Sequence, residues 1–166
     1  MPEITVQLFS LLPRQHEIIS HPSRFRVLAC GRRFGKTETA IHEMSVRALR
    51  GERVAYFAPT YKMTSETFRH LLDRLSPVIT YSSKTDSRIQ LITGGVIECW
   101  SLSTTSAESV RGRKYHFAVI DEAAMVVNGM KIWQEVIRPL LVDYRGGAFF
   151  CSTPKGMNWF YQLYQW

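Results

Sequence analysis

Cysteine is scarce in this sequence and never closely spaced: Cys30, Cys99 and Cys151 stand far apart, with no C-x-x-C pair. So odd and scattered a set excludes a disulfide framework and a thiolate metal site, and fits reduced thiols in a cytosolic compartment. Long apolar runs are also missing. No stretch approaches membrane-spanning length, and the N-terminal MPEITVQLFSLLPRQ carries acidic Glu3 and lacks the basic start of a signal peptide. The protein is therefore expected to be soluble and cytoplasmic, with no membrane partner. Acids are under-represented, 14 Asp plus Glu against 21 Lys plus Arg, for a net charge of +7 and a pI near 9.6. Such a balance points toward a polyanionic partner such as nucleic acid, although charge alone also serves solubility. There is no repeat, low-complexity tract or linker, so the 166 residues, 45% of them hydrophobic, are expected to bury one core as a single domain, 1–166.

What is present is an alternation of short apolar runs with amphipathic stretches, the pattern of an open α/β fold. Pro13 opens a short helix through Gln15 to Ile19, broken at His21-Pro22-Ser23, and Phe25 to Ala29 reads as a buried strand feeding a Gly-rich turn. A helix is expected from Lys36 to about Leu49, a strand from Arg53 to Ala58 stopped by Pro59, and a helix from Met63 to Leu75 ending before Pro77. Arg88–Thr93 and Val96–Leu102 flank Gly94-Gly95 as a two-residue hairpin. His116–Asp121 reads as a central strand, Met130–Val142 as a helix and Ala148–Cys151 as another buried strand. A last helix from Trp159 to Trp166 carries aromatics that need packing partners, so the domain is expected to be a shortened form of a longer one.

Two segments carry phosphate chemistry. The first, CGRRFGKT over 30–37, lies between a strand and a helix, the setting in which a phosphate loop works. Gly35 lets backbone N–H groups approach a phosphate without an intervening Cβ. Lys36 supplies a point charge, and the Thr37 hydroxyl can ligate Mg²⁺ at a helix N-terminus whose dipole favours anions. Cys30 stands where the G-x-x-x-x-G-K-[ST] pattern has its first Gly, with Gly31 one residue later. By itself the segment also fits an ordinary strand-to-helix turn with an exposed Lys. The second segment, Phe117-Ala-Val-Ile-Asp121-Glu122, sets two carboxylates at the C-terminal end of a buried strand, where α/β sheets bind ligands. Asp121 would hold Mg²⁺ through water, and Glu122 would orient and deprotonate an attacking water. In isolation this too has a plain reading, a solvated strand end capping the next helix. Together, in this order, the two segments identify a site for ATP and Mg²⁺.

The sequence resembles the large terminase family, the packaging motors of tailed bacteriophages, over nearly its whole length. The resemblance rests on PRQHEII at 13–19, GRRFGKT at 31–37, APTYK at 58–62, RGRKYHFAVIDEAA at 111–124 and CSTPKGMNWFY at 151–161. In that family the phosphate loop carries Arg, as at Arg32 and Arg33, and often lacks its first Gly. The resemblance implies a P-loop NTPase fold of the RecA/helicase-like ASCE type, a mainly parallel twisted sheet flanked by helices, with the hairpin as an insertion. It implies a nucleotide site formed by Gln15, Gly31, Arg32, Arg33, Phe34, Gly35, Lys36, Thr37 and Asp121, with Gln15 reading the adenine edge; without the other motifs Gln15 would be a surface residue on a short helix. Ser152, Thr153 and Pro154 match a coupling segment that senses the γ-phosphate, against the plainer reading of a turn set by Pro154 and Gly156. Tyr61 and Lys62 are candidate nucleic-acid contacts, or a loop only. Arg111 is structural or nucleotide-facing, and the residues do not choose. One of Arg32 and Arg33 is expected to stabilise transition-state charge alongside Glu122, DNA contact or plain surface charge being the alternatives.

The same resemblance implies double-stranded DNA, a portal and a small terminase subunit as partners, and a homo-oligomeric ring in which a neighbour supplies an arginine, with Arg69, Arg74 and Arg88 as candidates. It implies the cytoplasm of an infected bacterial host, or a prophage origin. Terminases usually add a nuclease domain; no acid follows Ser152, so this chain is not expected to cut DNA. The alternatives are a helicase-like DNA-dependent ATPase lobe, which would need a second motor lobe, and a nucleotide-regulated binding module, which the presence of Glu122 disfavours.

Overall fold

The computed structural model describes residues 3–103 and 108–166. Five apolar segments line up in parallel because each is too short and too uniformly apolar to be anything but a strand covered on both faces. Their order, with two further strands, is β1 (Phe25–Ala29), β7 (Gly147–Ser152), β6 (Phe117–Asp121), β2 (Arg53–Ala58), β5 (Val96–Ser101), β4 (Arg88–Leu91) and β3 (Ile79–Ser83). β1, β7, β6, β2 and β5 run parallel, and β4 and β3 add antiparallel at one edge. One face packs on α2 (Lys36–Leu49) and α3 (Tyr61–Leu75), through Ala40, Met44, Phe68 and Leu71 against Val54, Val119 and Phe149. The opposite face of β1, β7, β6 and β2 is covered by Trp133, Ile137, Leu141 and Phe160. No described helix is long and apolar enough to cross a membrane.

Local chemistry sets the helix starts. Pro13 heads α1 (Pro13–Ser20), where a missing N–H costs nothing. Gly35 caps α2 in the left-handed conformation at φ 86°. Thr60 caps α3, its hydroxyl accepting the Met63 N–H at 3.4 Å, so Tyr61 and Lys62 form the first helical turn rather than a loop. Asn158 caps α5 (Trp159–Tyr164) by accepting from the N–H groups of Phe160 and Tyr161.

Three details differ from the sequence expectation. Strand β3 has no counterpart there, because a polar edge segment with only its ends partly buried shows no alternation; pairing with β4 makes it a strand. The segment expected as one helix over 130–142 is broken. α4 (Gly129–Ile132) passes into a widened turn, in which Arg138 donates to the Trp133 carbonyl five residues back, and then a tightened turn over Arg138–Leu141. Pro139 is the cause: it has no N–H to give and its ring clashes with the preceding turn. The hairpin is present, but its connection runs over 92–95, closed by Leu91 N–H to the Gly95 carbonyl at 2.9 Å, and its second arm, β5, belongs to the parallel sheet.

Gly94 alone supplies the positive φ in that turn, whereas Gly95 is needed for space: a Cβ there would lie 1.9 Å from the Ala48 carbonyl oxygen at the end of α2. Backbone at both sides cannot yield locally. Gly95→Ala is therefore expected to lower unfolding free energy by about 3 kcal/mol, read from the denaturant midpoint at unchanged slope. A midpoint equal to the parent's would refute this packing.

Candidate functional site

The C-terminal ends of β1, β6 and β7 meet at the N-terminus of α2, around a cleft of about 580 Å³ lined by Arg32, Arg33, Lys36, Thr37, Glu122 and Thr153 among others. The loop over 30–37 turns through two left-handed residues, Arg33 at φ 64° and Gly35 at φ 86°. Cys30 is not among the residues of positive φ, so the place where the pattern has its first Gly demands none here. Gly31 likewise has open space where a Cβ would stand. Burial pushes the Cys30 thiol up in pKa, with Lys36 opposing, so it stays a thiol at neutral pH.

Lys36 is buried, and its ammonium is already held inside the loop. It donates to the Gly31 carbonyl at 2.9 Å, the Cys30 carbonyl at 3.4 Å and Thr153 Oγ1 at 3.2 Å. An ammonium with three acceptors and, among the described residues, no salt-bridge partner is poised for phosphate oxygens. Arg32 and Arg33 are exposed on the rim of the same cleft, and among the described residues neither is in a salt bridge. Phe34 offers its carbonyl to Gln15 Nε2 at 3.0 Å, while Gln15 Oε1 accepts the Leu12 N–H at 2.9 Å. Gln15 is thus buried against the loop and is not a surface residue; a Cβ on Gly35 would lie 2.6 Å from its Nε2.

The acid pair divides its environment. Asp121 is buried and accepts from Thr37 Oγ1 at 2.7 Å and Tyr56 OH at 2.8 Å on one oxygen, and from the Glu122 N–H at 2.8 Å and Cys151 Sγ at 3.2 Å on the other. A hydroxyl and a carboxylate converging at a helix N-terminus are the hard oxygen donors that suit Mg²⁺. Burial first, and then the Asp121 charge, push the Tyr56 phenol well above the usual tyrosine range; the same two causes raise the Cys151 thiol. Both remain protonated donors. Glu122, by contrast, faces the cleft from a left-handed backbone at φ 46°, a conformation costing a non-glycine residue on the order of 1 kcal/mol or more. It is held there by Met125 N–H to the Glu122 carbonyl at 2.9 Å, and by Ser152, whose Oγ accepts the Ala124 N–H at 3.1 Å and lies 3.4 Å from Glu122 Oε2.

The last residue of β7 and the one after it therefore reach the two halves of the site, Ser152 at Glu122 and Thr153 at Lys36, while Pro154 is exposed. Arg111 is not in the cleft; it pairs with Glu108 at 3.0 Å on an exposed rim. Tyr56 escaped the sequence reading, since within the apolar run RVAYFA it is simply one more core residue. Glu38, Met63 and Met125, which also line the cleft, carried no signal either.

β7 separates the phosphate-loop strand β1 from the acid-bearing strand β6. That inserted strand, with a cleft-facing carboxylate directly after the buried acid, places the domain among the P-loop ATPases of the ASCE class. The family described as "Terminase large subunit, T4likevirus-type, N-terminal" matches residues 27–166. The chain belongs to the terminase large subunit family, as its ATPase domain. It is 27% identical over 181 residues to the large subunit of Thermus virus P23-45, covering 95% of this chain and 37% of that protein. It is 30% identical over 145 residues to that of Escherichia phage T5, covering 85% and 33%. The chain thus spans about a third of the length of these relatives. Among solved structures, the ATPase domain of the Thermus phage P74-26 large terminase superposes with a TM-score of 0.77 at 26% identity, covering 93% of this chain and 69% of that one. A large terminase from a thermophilic bacteriophage, solved in complex with ADP, shares the fold at a TM-score of 0.66 and 14% identity, covering 87% of this chain and 39% of that one. Family membership decides against the helicase-lobe alternative.

Proposed function

We propose that this domain binds ATP with Mg²⁺ in the cleft and couples its hydrolysis to translocation of double-stranded DNA into a procapsid. The observation that carries the reading is the contact of one segment with both halves of the site, Thr153 on Lys36 and Ser152 beside Glu122. Lys36 exchanges its loop carbonyls and Thr153 for the β- and γ-phosphate oxygens when ATP binds, and Thr153 is released. The segment after β7 thereby registers the γ-phosphate. Gln15 keeps one N–H and one lone pair beyond those given to Phe34 and Leu12, enough to read an adenine edge while still clasping the loop.

Thr37 and Asp121 are the residues that would hold Mg²⁺, which when bound neutralises the phosphate charge. Glu122 takes the proton of a water as its oxygen bonds to the γ-phosphorus and the bond to ADP breaks. Arg32 or Arg33, exposed on the rim, supports the charge that develops on the transferring group.

Tyr61 and Lys62, exposed on the first turn of α3, are proposed DNA contacts. In a homo-oligomeric ring a neighbour would add an arginine. Arg74 is held by Glu38 at 3.0 Å and lies over the Phe9 ring, and Arg88 faces Glu98 at 3.6 Å. Among the described residues Arg69 is exposed with no salt bridge, and Arg111 has no salt bridge besides the one to Glu108, three residues before it, so these two are available to be offered. The family further implies a portal and a small terminase subunit as partners and the cytoplasm of a bacterial host as the setting.

Turnover per molecule is expected to rise with protein concentration and with added duplex, since a charge of +7 opposes self-association unless DNA lies between subunits. Sedimentation and ATP turnover across one dilution series, with and without duplex, test this. A flat profile with brisk turnover would retire the ring.

A further inference from the structure

Asp121 receives its four hydrogen bonds from four different parts of the chain. On one oxygen are Thr37 Oγ1 from α2 at 2.7 Å and Tyr56 OH from β2 at 2.8 Å; on the other are the Glu122 N–H at 2.8 Å and the Cys151 thiol from β7 at 3.2 Å. These donors differ in what nucleotide binding does to them. The Thr37 hydroxyl is the one a metal ion would claim: its lone pair would turn to the ion while its hydrogen stays on Asp121, so this donor moves with the metal. Tyr56 is then the one side chain among the described residues that donates to that oxygen from a strand the metal does not meet.

Tyr56 is built for such a task. It stands in the middle of the sheet, between β5 and β6, and is about 1% exposed, so no water competes for its hydroxyl. Thr67 of α3, itself buried, is the phenol's other polar neighbour and works against the upward push of burial and Asp121 on its pKa. The phenol's single hydrogen goes to Asp121. Replacing the hydroxyl by hydrogen would leave that carboxylate oxygen held by Thr37 alone, a donor whose own position follows the metal, and freer to turn about the Cβ–Cγ bond.

We infer that Tyr56 is a positioning residue for the metal-holding carboxylate, keeping the Asp121 oxygen beside Thr37 directed at the phosphate loop whether or not nucleotide is bound. The inference rests on the reading of Asp121 as the Mg²⁺-holding acid. Its consequence is specific: Tyr56 governs metal affinity and leaves metal-free nucleotide affinity alone, because the hydrogen bonds of Lys36 and Gln15 go to the loop and Thr153 and to Phe34 and Leu12, not to Tyr56. Partners of this kind, which orient a ligand without touching the metal, are commonly worth about 10–100-fold in metal affinity.

The experiment uses the parent chain, Tyr56→Phe and Asp121→Asn. Mn²⁺ binding is titrated by electron paramagnetic resonance in the presence of ADP, and ADP binding is measured separately with chelator and no metal. Tyr56→Phe keeps the ring and its packing, and is expected to weaken Mn²⁺ binding about tenfold or more while metal-free ADP affinity stays within about twofold of the parent's. Parent-like Mn²⁺ binding in Tyr56→Phe, with Asp121→Asn impaired, overturns the role of Tyr56 alone. Loss of metal-free ADP affinity in Tyr56→Phe to the same extent as Mn²⁺ affinity assigns the tyrosine to packing and overturns it as well. Parent-like Mn²⁺ binding in Asp121→Asn instead removes the reading of Asp121 on which the inference stands.

Discussion

Glu122→Gln is expected to bind ATP as the parent does and to turn it over about 10³-fold more slowly. The amide has the carboxylate's shape, so it can keep its place 3.4 Å from Ser152 Oγ and the left-handed turn that Met125 and Ala124 close around it. What it lacks is a site for the proton of the attacking water. Binding is spared because the groups that meet the phosphates, Lys36, Thr37 and the loop backbone, make no hydrogen bond to Glu122. Equilibrium binding of a fluorescent ATP analogue beside steady-state phosphate release separates the two quantities. A variant that loses ATP affinity in step with turnover, or that hydrolyses at the parent rate, would show that Glu122 is not the group acting on water.

Lys36→Ala is expected to do the opposite, lowering ATP affinity about 100-fold, as truncation of a buried charged contact generally does. Part of that loss is the phosphate contact itself. The remainder comes from the loop, because the Lys36 ammonium ties together the carbonyls of Cys30 and Gly31 and the hydroxyl of Thr153. Without it these acceptors, on half-buried Cys30 and Thr153 and exposed Gly31, lose the donor that joins them, and the loop is no longer preorganised. The thermal midpoint should fall only slightly, since the ammonium lies at the sheet's end and outside both apolar clusters. Parent-like ATP affinity in this variant would mean that the cleft is not the nucleotide site.

The parts of this site that could be read in the sequence are those whose chemistry is contiguous. GRRFGKT is a complete local device: a left-handed glycine, a cation and a hydroxyl at a helix start work together wherever a strand delivers them. FAVIDE is another, since a run of buried apolar residues ending in two acids states both the strand and the end at which its ligands gather. The same local logic placed most strands and helices, because burial on both faces writes itself as an uninterrupted apolar run. It failed where structure depends on neighbours in space. β3 is a strand only because β4 pairs with it; the break at Pro139 within 130–142, by contrast, is a local signal that the expectation of one helix passed over.

Which residues meet was decided by the sheet. The order β1-β7-β6-β2-β5-β4-β3 is set by pairing and crossover packing over long separations, and no local pattern records it. That order brings Thr37 onto Asp121 across 84 positions, Lys36 onto Thr153 across 117, and Tyr56 onto Asp121 across 65. It also turned Gln15 from a surface position into a clasp on Phe34. By itself the sequence determined the chemical groups of the site and the ends of the elements that carry them, because propensity, burial and charge act over a few residues. Only the tertiary structure decided their partners, because a hydrogen bond between distant residues exists once strand order and register have placed both ends within reach.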